Sequence, residues 1–429
     1  MIVIPFLYFT FMTLFWWKKH QGIDVCVYMS GLYAISSFFS IVIVSADLLG
    51  EGGVLFDDSD LELGVFPTLL FCTFLTLCIL PFSMIYNKKI KRITATNGSI
   101  LMGISLILIA VGLINLYVVA DSTMEILSGD LNTIRTDHYN GIVSPAQIKA
   151  ESLPAICRYL YVLNYATILA LPLLFYYLMQ KKTNWILCTL LLISSLSSPI
   201  AAFQTADRNE FVFYGMMFIF CFILFYKQLT RKIRRLIYIG GSIFCSIFLV
   251  YIFAVSIARF EERDQGASGS IIQYAGQGYL NFCYFWENAN FEFIAPEREF
   301  PMIAHTVFKI DSDDYRRGVR SGQQGFFISV FPTFIGEIML DLSPIGMVSW
   351  VIYYSLICFI LLKTSEREEY DLEEIIMIFT LAALPTFGIF YYRYFYFSHS
   401  LITITAALIY LSSRFKICLL YTSPRPRDA

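Results

Sequence analysis

In a chain this apolar, the residues worth reading first are the isolated charges. Arg208 lies in QTADRNEF, a connection of a few residues between two apolar runs, with Asp207 and Glu210 beside it. A guanidinium there could reach into a cavity at the mouth of two helices and hold a phosphate with its planar fork. The simpler reading is a capping turn, in which Asp207 or Asn209 caps the next helix and Arg208 anchors to headgroups. Arg158 sits about one turn inside the end of another apolar run, where arginine needs a partner, water or a snorkelling path to the interface. Arg393, in YYRYFYFSHS, falls in an aromatic stretch of the kind found at membrane interfaces. His399 follows it, but helical spacing turns His399 to a different face, so the two are not expected to pair. Arg259 and Arg263 are spaced i,i+4 and would share one side of a continuing helix, as two cations facing a diphosphate would need. Arg316, Arg317 and Arg320 follow in the same long connection, where most charges are simply solvated. Groups able to activate a hydroxyl are Glu337, Glu287 and His305. Glu337 and Asp341 stand one helical turn apart in an apolar segment, where a carboxylate is costly unless paired. The cluster Asp57, Asp58, Asp60 reads as solvated.

These residues must be positioned by membrane helices. Of 429 residues, 57% are hydrophobic and 15% charged, against about 25% charged in soluble proteins. Runs of the length needed to cross roughly 30 Å of hydrocarbon fall near 2–17, 24–46, 66–86, 99–120, 154–178, 185–204, 211–227, 236–257, 344–363, 375–392 and 395–413. The expected fold is therefore all-α and polytopic, with about eleven transmembrane helices and a range of roughly ten to twelve. Lysine and arginine gather in one set of connections: Lys18 and Lys19, Lys88 to Arg92, Lys181 and Lys182, Lys227 to Arg235, Lys363 and Arg367, Arg414 and Lys416. The short connections between hold only Arg135, Lys149, Arg208 and Arg393. The positive-inside rule makes the basic set cytoplasmic and the other set external. The longest connection, about 258–343 between spans eight and nine, is then a large extracytoplasmic loop. Its aromatics, Tyr274 to Phe293, imply that it folds onto the helices as short helical pieces. The run 325–346, broken by Pro332, Gly336 and Pro344, reads as a re-entrant or interfacial hairpin lining a cavity.

Other classes find no footing. The net charge of -2 is not spread as a basic nucleic-acid surface. The ten cysteines are dispersed, most of them in apolar runs, with Cys283 and Cys157 nearest an external face. His20, His138, His305 and His399 lack metal-binding spacing, and no phosphate-binding glycine loop occurs, so neither metal nor cofactor is expected. No cleavable signal peptide is evident. From Cys418 the chain reads CLLYTSPRPRDA, which resembles a translated sequencing adapter. Residues 1–417 are read as a single membrane domain and 418–429 as an artefactual tail.

Three segments carry a resemblance: DRNEF around Arg208, GQGYLNFCYF in the long loop, and FPTFIGEIMLDLSPIG leading into the next span. Together with the layout, they resemble the bacterial oligosaccharide repeat-unit polymerases, the Wzy-type O-antigen polymerase family. Where that family shows an Asp-Phe-Gly-like step, this chain has Asp341, Leu342 and Ser343, with the glycine at Gly346. The resemblance implies a GT-C-like membrane glycosyltransferase of the bacterial cytoplasmic (inner) membrane, with its active site facing the periplasm or exterior. It would transfer a glycan from undecaprenyl diphosphate to a new lipid-linked repeat unit, building O-antigen, capsular or exopolysaccharide. Its partners would be undecaprenyl-diphosphate-linked oligosaccharides and the lipid bilayer, with a chain-length regulator and a flippase. On this reading Arg208, Glu337, Glu287 and His305 serve the reaction, and Arg158, Arg259, Arg263, Arg316, Arg320 and Arg393 bind substrate. An O-antigen ligase would differ in its product, polymer moved onto lipid A core. A flippase or other transporter would need polar groups along a path between both faces.

Overall fold

The computed structural model describes residues 1–49, 53–56, 63–86, 90–128, 145–202, 208–260, 266–291, 306–307, 309, 324–326, 328, 330–363, 368–395 and 397–414. Apart from one short strand pair, its regular elements are helices. In chain order they are α1 (Val3–His20), α2 (Val25–Ser45), α3 (Val65–Ile79), β1 (Arg92–Thr94), α4 (Gly98–Ser128), α5 (Pro145–Glu151), α6 (Ala155–Tyr161) and α7 (Ala170–Leu178). There follow α8 (Trp185–Ala201), α9 (Asn209–Phe225), α10 (Arg231–Phe260), α11 (Gly266–Asn288), α12 (Thr333–Lys363), β2 (Glu369–Asp371), α13 (Leu372–Phe387) and α14 (Phe397–Arg414). Among the described residues, five helices are long and apolar enough to cross a membrane, or six if one bent pair is a single span.

Local chemistry sets the helix ends. The Asp24 carboxylate accepts the Val27 N–H at 2.9 Å and so caps α2, and Asn184 caps α8 through Leu187. Asp371 and Glu374 form a reciprocal capping box at the start of α13. The expected span 154–178 is broken. α6 and the helical run Asn164–Leu178 meet at 62°. Next to the bend, Asn164 turns its own side chain and carbonyl to the backbone of Tyr165 and the hydroxyl of Thr167, which competes with a continuous helix. The segment expected as a hairpin is instead helical from Thr333. It changes direction at Ser343, whose φ is 67°, immediately before Pro344. Proline lacks the N–H that would continue the ladder and disfavours helical geometry in the residue before it.

Two packing features position the site. α4 and α8 approach closely where Gly112 faces Ser194, and Ser194 donates to the Leu108 carbonyl at 2.6 Å. α11, expected as short pieces, is one continuous helix lying against α2 and α3. Gly276 meets the backbone of Phe39 and Ser40, and Ser36 and Ser40 donate to the carbonyls of Ala275 and Gly276. The other polar residues of α11 serve irregular backbone. Gln273 donates to the Leu48 carbonyl, and Asn281 donates to the Gly53 carbonyl and accepts the Leu55 N–H. The basic end of the molecule is tied by the parallel pairing of β1 with β2 and by His20, which is hydrogen-bonded to Asp24 and stacked on Tyr86. Outward faces of α1, α10 and α12 expose Leu7, Phe11, Ile239, Ile243, Val250, Leu356 and Ile360, as an acyl-chain environment allows.

Candidate functional site

The end of the bundle opposite the β1–β2 pair holds the residues with chemical potential. α9 begins at Arg208, which occupies the cap position without a side-chain capping bond. Glu210, in the first turn, is 8% exposed. A carboxylate there gains from the N–H groups and dipole of the helix start. Its main partner is remote in sequence: Nη2 of Arg393 stands 2.7 Å from both carboxylate oxygens. His399 Nε2 lies 3.2 Å from Oε1, and Ser198 of α8 donates to Oε2 at 3.3 Å. Glu210 thus joins α8, α9, the 3-10 turn Arg393–Phe395 and α14.

Arg393 is 3% exposed and covered by rings, with Phe213 at 3.6 Å and Phe387 at 5.3 Å from its guanidinium carbon. It is not at an aromatic interface belt, as its neighbours suggested, but inside the protein. The expectation that His399 and Arg393 do not pair is corrected in one respect. Both converge on Glu210, because a 3-10 turn rather than one continuous α-helix carries Arg393.

The same turn is held from its other side. Tyr392 donates its N–H to Glu337 Oε2 at 2.7 Å, and Glu337 is 7% exposed. Asp341, one turn further along α12, is 3% exposed. The Arg208 guanidinium carbon stands 4.9 Å from the ring centroid of Tyr274 on α11. Tyr274 packs on Phe331 at 5.3 Å, and Phe331 stacks on Tyr391 at 5.5 Å. A run of aromatic contacts therefore leads from Arg208 to the turn that bears Arg393.

Two of the expected residues lie elsewhere among the described residues. Glu287 is exposed at the far end of α11, about 20 Å along the helix axis from Tyr274, and accepts the Gly64 N–H at 3.2 Å. Arg158 is exposed on the seven-residue α6, one turn into the bent pair, and donates to the carbonyls of Glu151 at the end of α5 and of Leu153 just after it. Arg259 lies on the backbone of α10, but its side chain is outside the description. Arg263, His305, Arg316, Arg317 and Arg320 lie outside the described residues, as do 418–429.

Comparison with family models, curated proteins and solved structures finds no match.

The chemistry of the site therefore rests on its own geometry. Glu210 compensates the charge of Arg393, whereas Arg208 is a half-buried cation at a helix start beside an aromatic face. A cation and backbone N–H groups at a helix N-terminus suit an anionic group, and aromatic faces suit the apolar faces of sugars. Glu210 and Tyr274 were not singled out from the sequence. A lone carboxylate opening an apolar helix was the signal available for Glu210.

Proposed function

We propose that this chain is an integral-membrane glycosyltransferase that polymerises polyprenyl-diphosphate-linked oligosaccharide repeat units. The observation that carries this reading is the meeting of three segments far apart in sequence. DRNEF supplies Arg208, which faces Tyr274, two residues before GQGYLNFCYF begins at Gly276. Gln277 of that stretch accepts the N–H of Phe331, which opens FPTFIG, and Gly278 packs against Thr333. These are the segments on which the resemblance to the Wzy-type polymerases rests. In this reading the chain has about eleven spans, and the Arg208 end faces outward across a bacterial cytoplasmic membrane.

In the reaction an acceptor hydroxyl attacks the anomeric carbon of the donor and gives up its proton to the departing diphosphate or to water. The bond from that carbon to the diphosphate oxygen breaks, and negative charge collects on the departing lipid diphosphate. Arg208 stabilises that charge, Tyr274 fixes the direction of the guanidinium, and the neighbouring rings take the sugar faces. The donor is already activated, so the transfer needs no nucleotide. Arg208→Ala should lower polymer formation by about 10²-fold or more while single lipid-linked repeat units accumulate at normal protein level. Polymer of wild-type length and amount from that variant, read on a glycan ladder, would remove the assignment.

A further inference from the structure

We propose that Glu210 is a positioning residue, and that Arg393 is its buried counter-charge rather than a contact for the leaving diphosphate, which falls to Arg208. The activity part of this inference rests on the polymerase reading; the structural part does not. Glu210 lies two residues after Arg208 in the first turn of α9, so whatever fastens Glu210 also fixes the direction of Arg208. Its carboxylate is held by Arg393, His399 and Ser198, which come from three other elements. The turn bearing Arg393 is separately held by Glu337 through the Tyr392 N–H. Arg393 is badly placed to receive a substrate. Its charge is matched by Glu210, its guanidinium carbon sits over the Phe213 ring, and its Nε and Nη1 atoms are sealed from solvent without a hydrogen-bond partner among the described residues. Such a cation is tolerable only beside its carboxylate, and the carboxylate only beside its cation.

That mutual dependence supplies the test. Removing either partner strands a buried charge, whereas removing both charges leaves a neutral amide beside His399 and Ser198 and an apolar Met under Phe213. Glu210→Gln, Arg393→Met and the double variant are made in the full chain, and melting temperature and polymer formation in membranes are measured. Each single substitution should lower both, with polymer formation down about tenfold, and the double variant should lie nearer the wild type than either single. In the singles the loss should fall in kcat, with the KM for the lipid-linked donor nearly unchanged. A double variant that melts like the wild type but is as inactive as Arg393→Met, or a raised KM in Arg393→Met, would overturn the proposal.

If the singles do not accumulate, arginine labelling of the wild-type protein decides. Phenylglyoxal followed by peptide mapping should leave Arg393 unmodified and label Arg208, and inorganic pyrophosphate should protect Arg208. Labelling of Arg393 with protection by pyrophosphate would overturn the assignment. Should the wild type itself make no polymer while the double variant recovers stability and the labelling pattern holds, the clamp stands and the polymerase reading is what fails.

Discussion

Replacing Gly276 by alanine tests the contact that sets α11 in place. A Cβ on Gly276 would stand 2.5 Å from the Ser40 nitrogen and 2.7 Å from the Phe39 oxygen. Both are backbone atoms of α2, so no side chain can swing aside. The helices would have to part by about 1 Å to restore ordinary contact distances. Overpacking of this kind costs about 1–3 kcal/mol. The separation also stretches the bonds from Ser36 to Ala275 and from Ser40 to Gly276, now 2.8 Å and 2.6 Å, each contributing about 0.5–1.5 kcal/mol. Alanine returns roughly 1 kcal/mol of helix propensity, leaving a net loss of about 1–5 kcal/mol. Tyr274 rides on the same turn of α11, and moving it by about 1 Å relative to Arg208 should cost on the order of 10²-fold in polymer formation. The matched control is Gly240→Ala on α10, where an added Cβ meets nothing within 4 Å, so stability should stay level or rise by up to about 1 kcal/mol. A denaturation titration of both variants in the same detergent, with polymer measured in parallel, gives the comparison. Equal stability for Gly276→Ala and Gly240→Ala would mean that α11 does not press on α2 as described.

Two further substitutions separate roles that the sequence leaves open. Glu337→Gln keeps an oxygen to accept the Tyr392 N–H, so it should cost less than about 1 kcal/mol and leave polymer formation near wild type; inactivity in a stable variant would make Glu337 a base instead. Asp24→Ala removes both the cap of α2 and the partner of the buried His20 at the basic end, and should cost about 2–3 kcal/mol in thermal or denaturant unfolding; wild-type stability would show that the pair does not hold α1 to α2.

Helix positions were largely legible because apolar length is a local property. The expected run 24–46 is α2 at Val25–Ser45, and 185–204 is α8 at Trp185–Ala201, each opened by a capping Asp or Asn. The misreadings share a physical cause. α11 does not read as one helix because Gln273, Gln277 and Asn281 interrupt its apolar pattern, and what they satisfy is the backbone of residues far away. The bend after Tyr161 and the break at Ser343 arise from an asparagine and a proline whose tolerance inside a span depends on neighbours. The site divides in the same way. Arg208, Arg393 and Glu337 stood out as isolated charges, but their partners could not. His399 and Glu210 are 189 residues apart, and a rule about faces of one helix says nothing of a carboxylate arriving from another.

The two kinds of polar residue at this end solve two separate problems, and the division explains why Arg208 is the cation suited to chemistry. Irregular backbone near hydrocarbon must find hydrogen bonds inside the protein. The amides of α11 meet that need for Leu48, Gly53, Leu55 and Phe331, using neutral groups that place no net charge in the core. The turn that carries Arg393 is fixed by ions instead, but the Glu210–Arg393 pair compensates itself behind Phe213. A departing diphosphate is steadied by a cation that it can reach. Arg393 is matched and sealed, Arg158 donates to backbone carbonyls beside α5, and Glu287 accepts a backbone N–H at the far end of α11. Arg208 combines a half-buried position, a helix start and an aromatic backing on the side of α11. Its orientation is set by a clamp that would keep its shape whether or not an anion is bound.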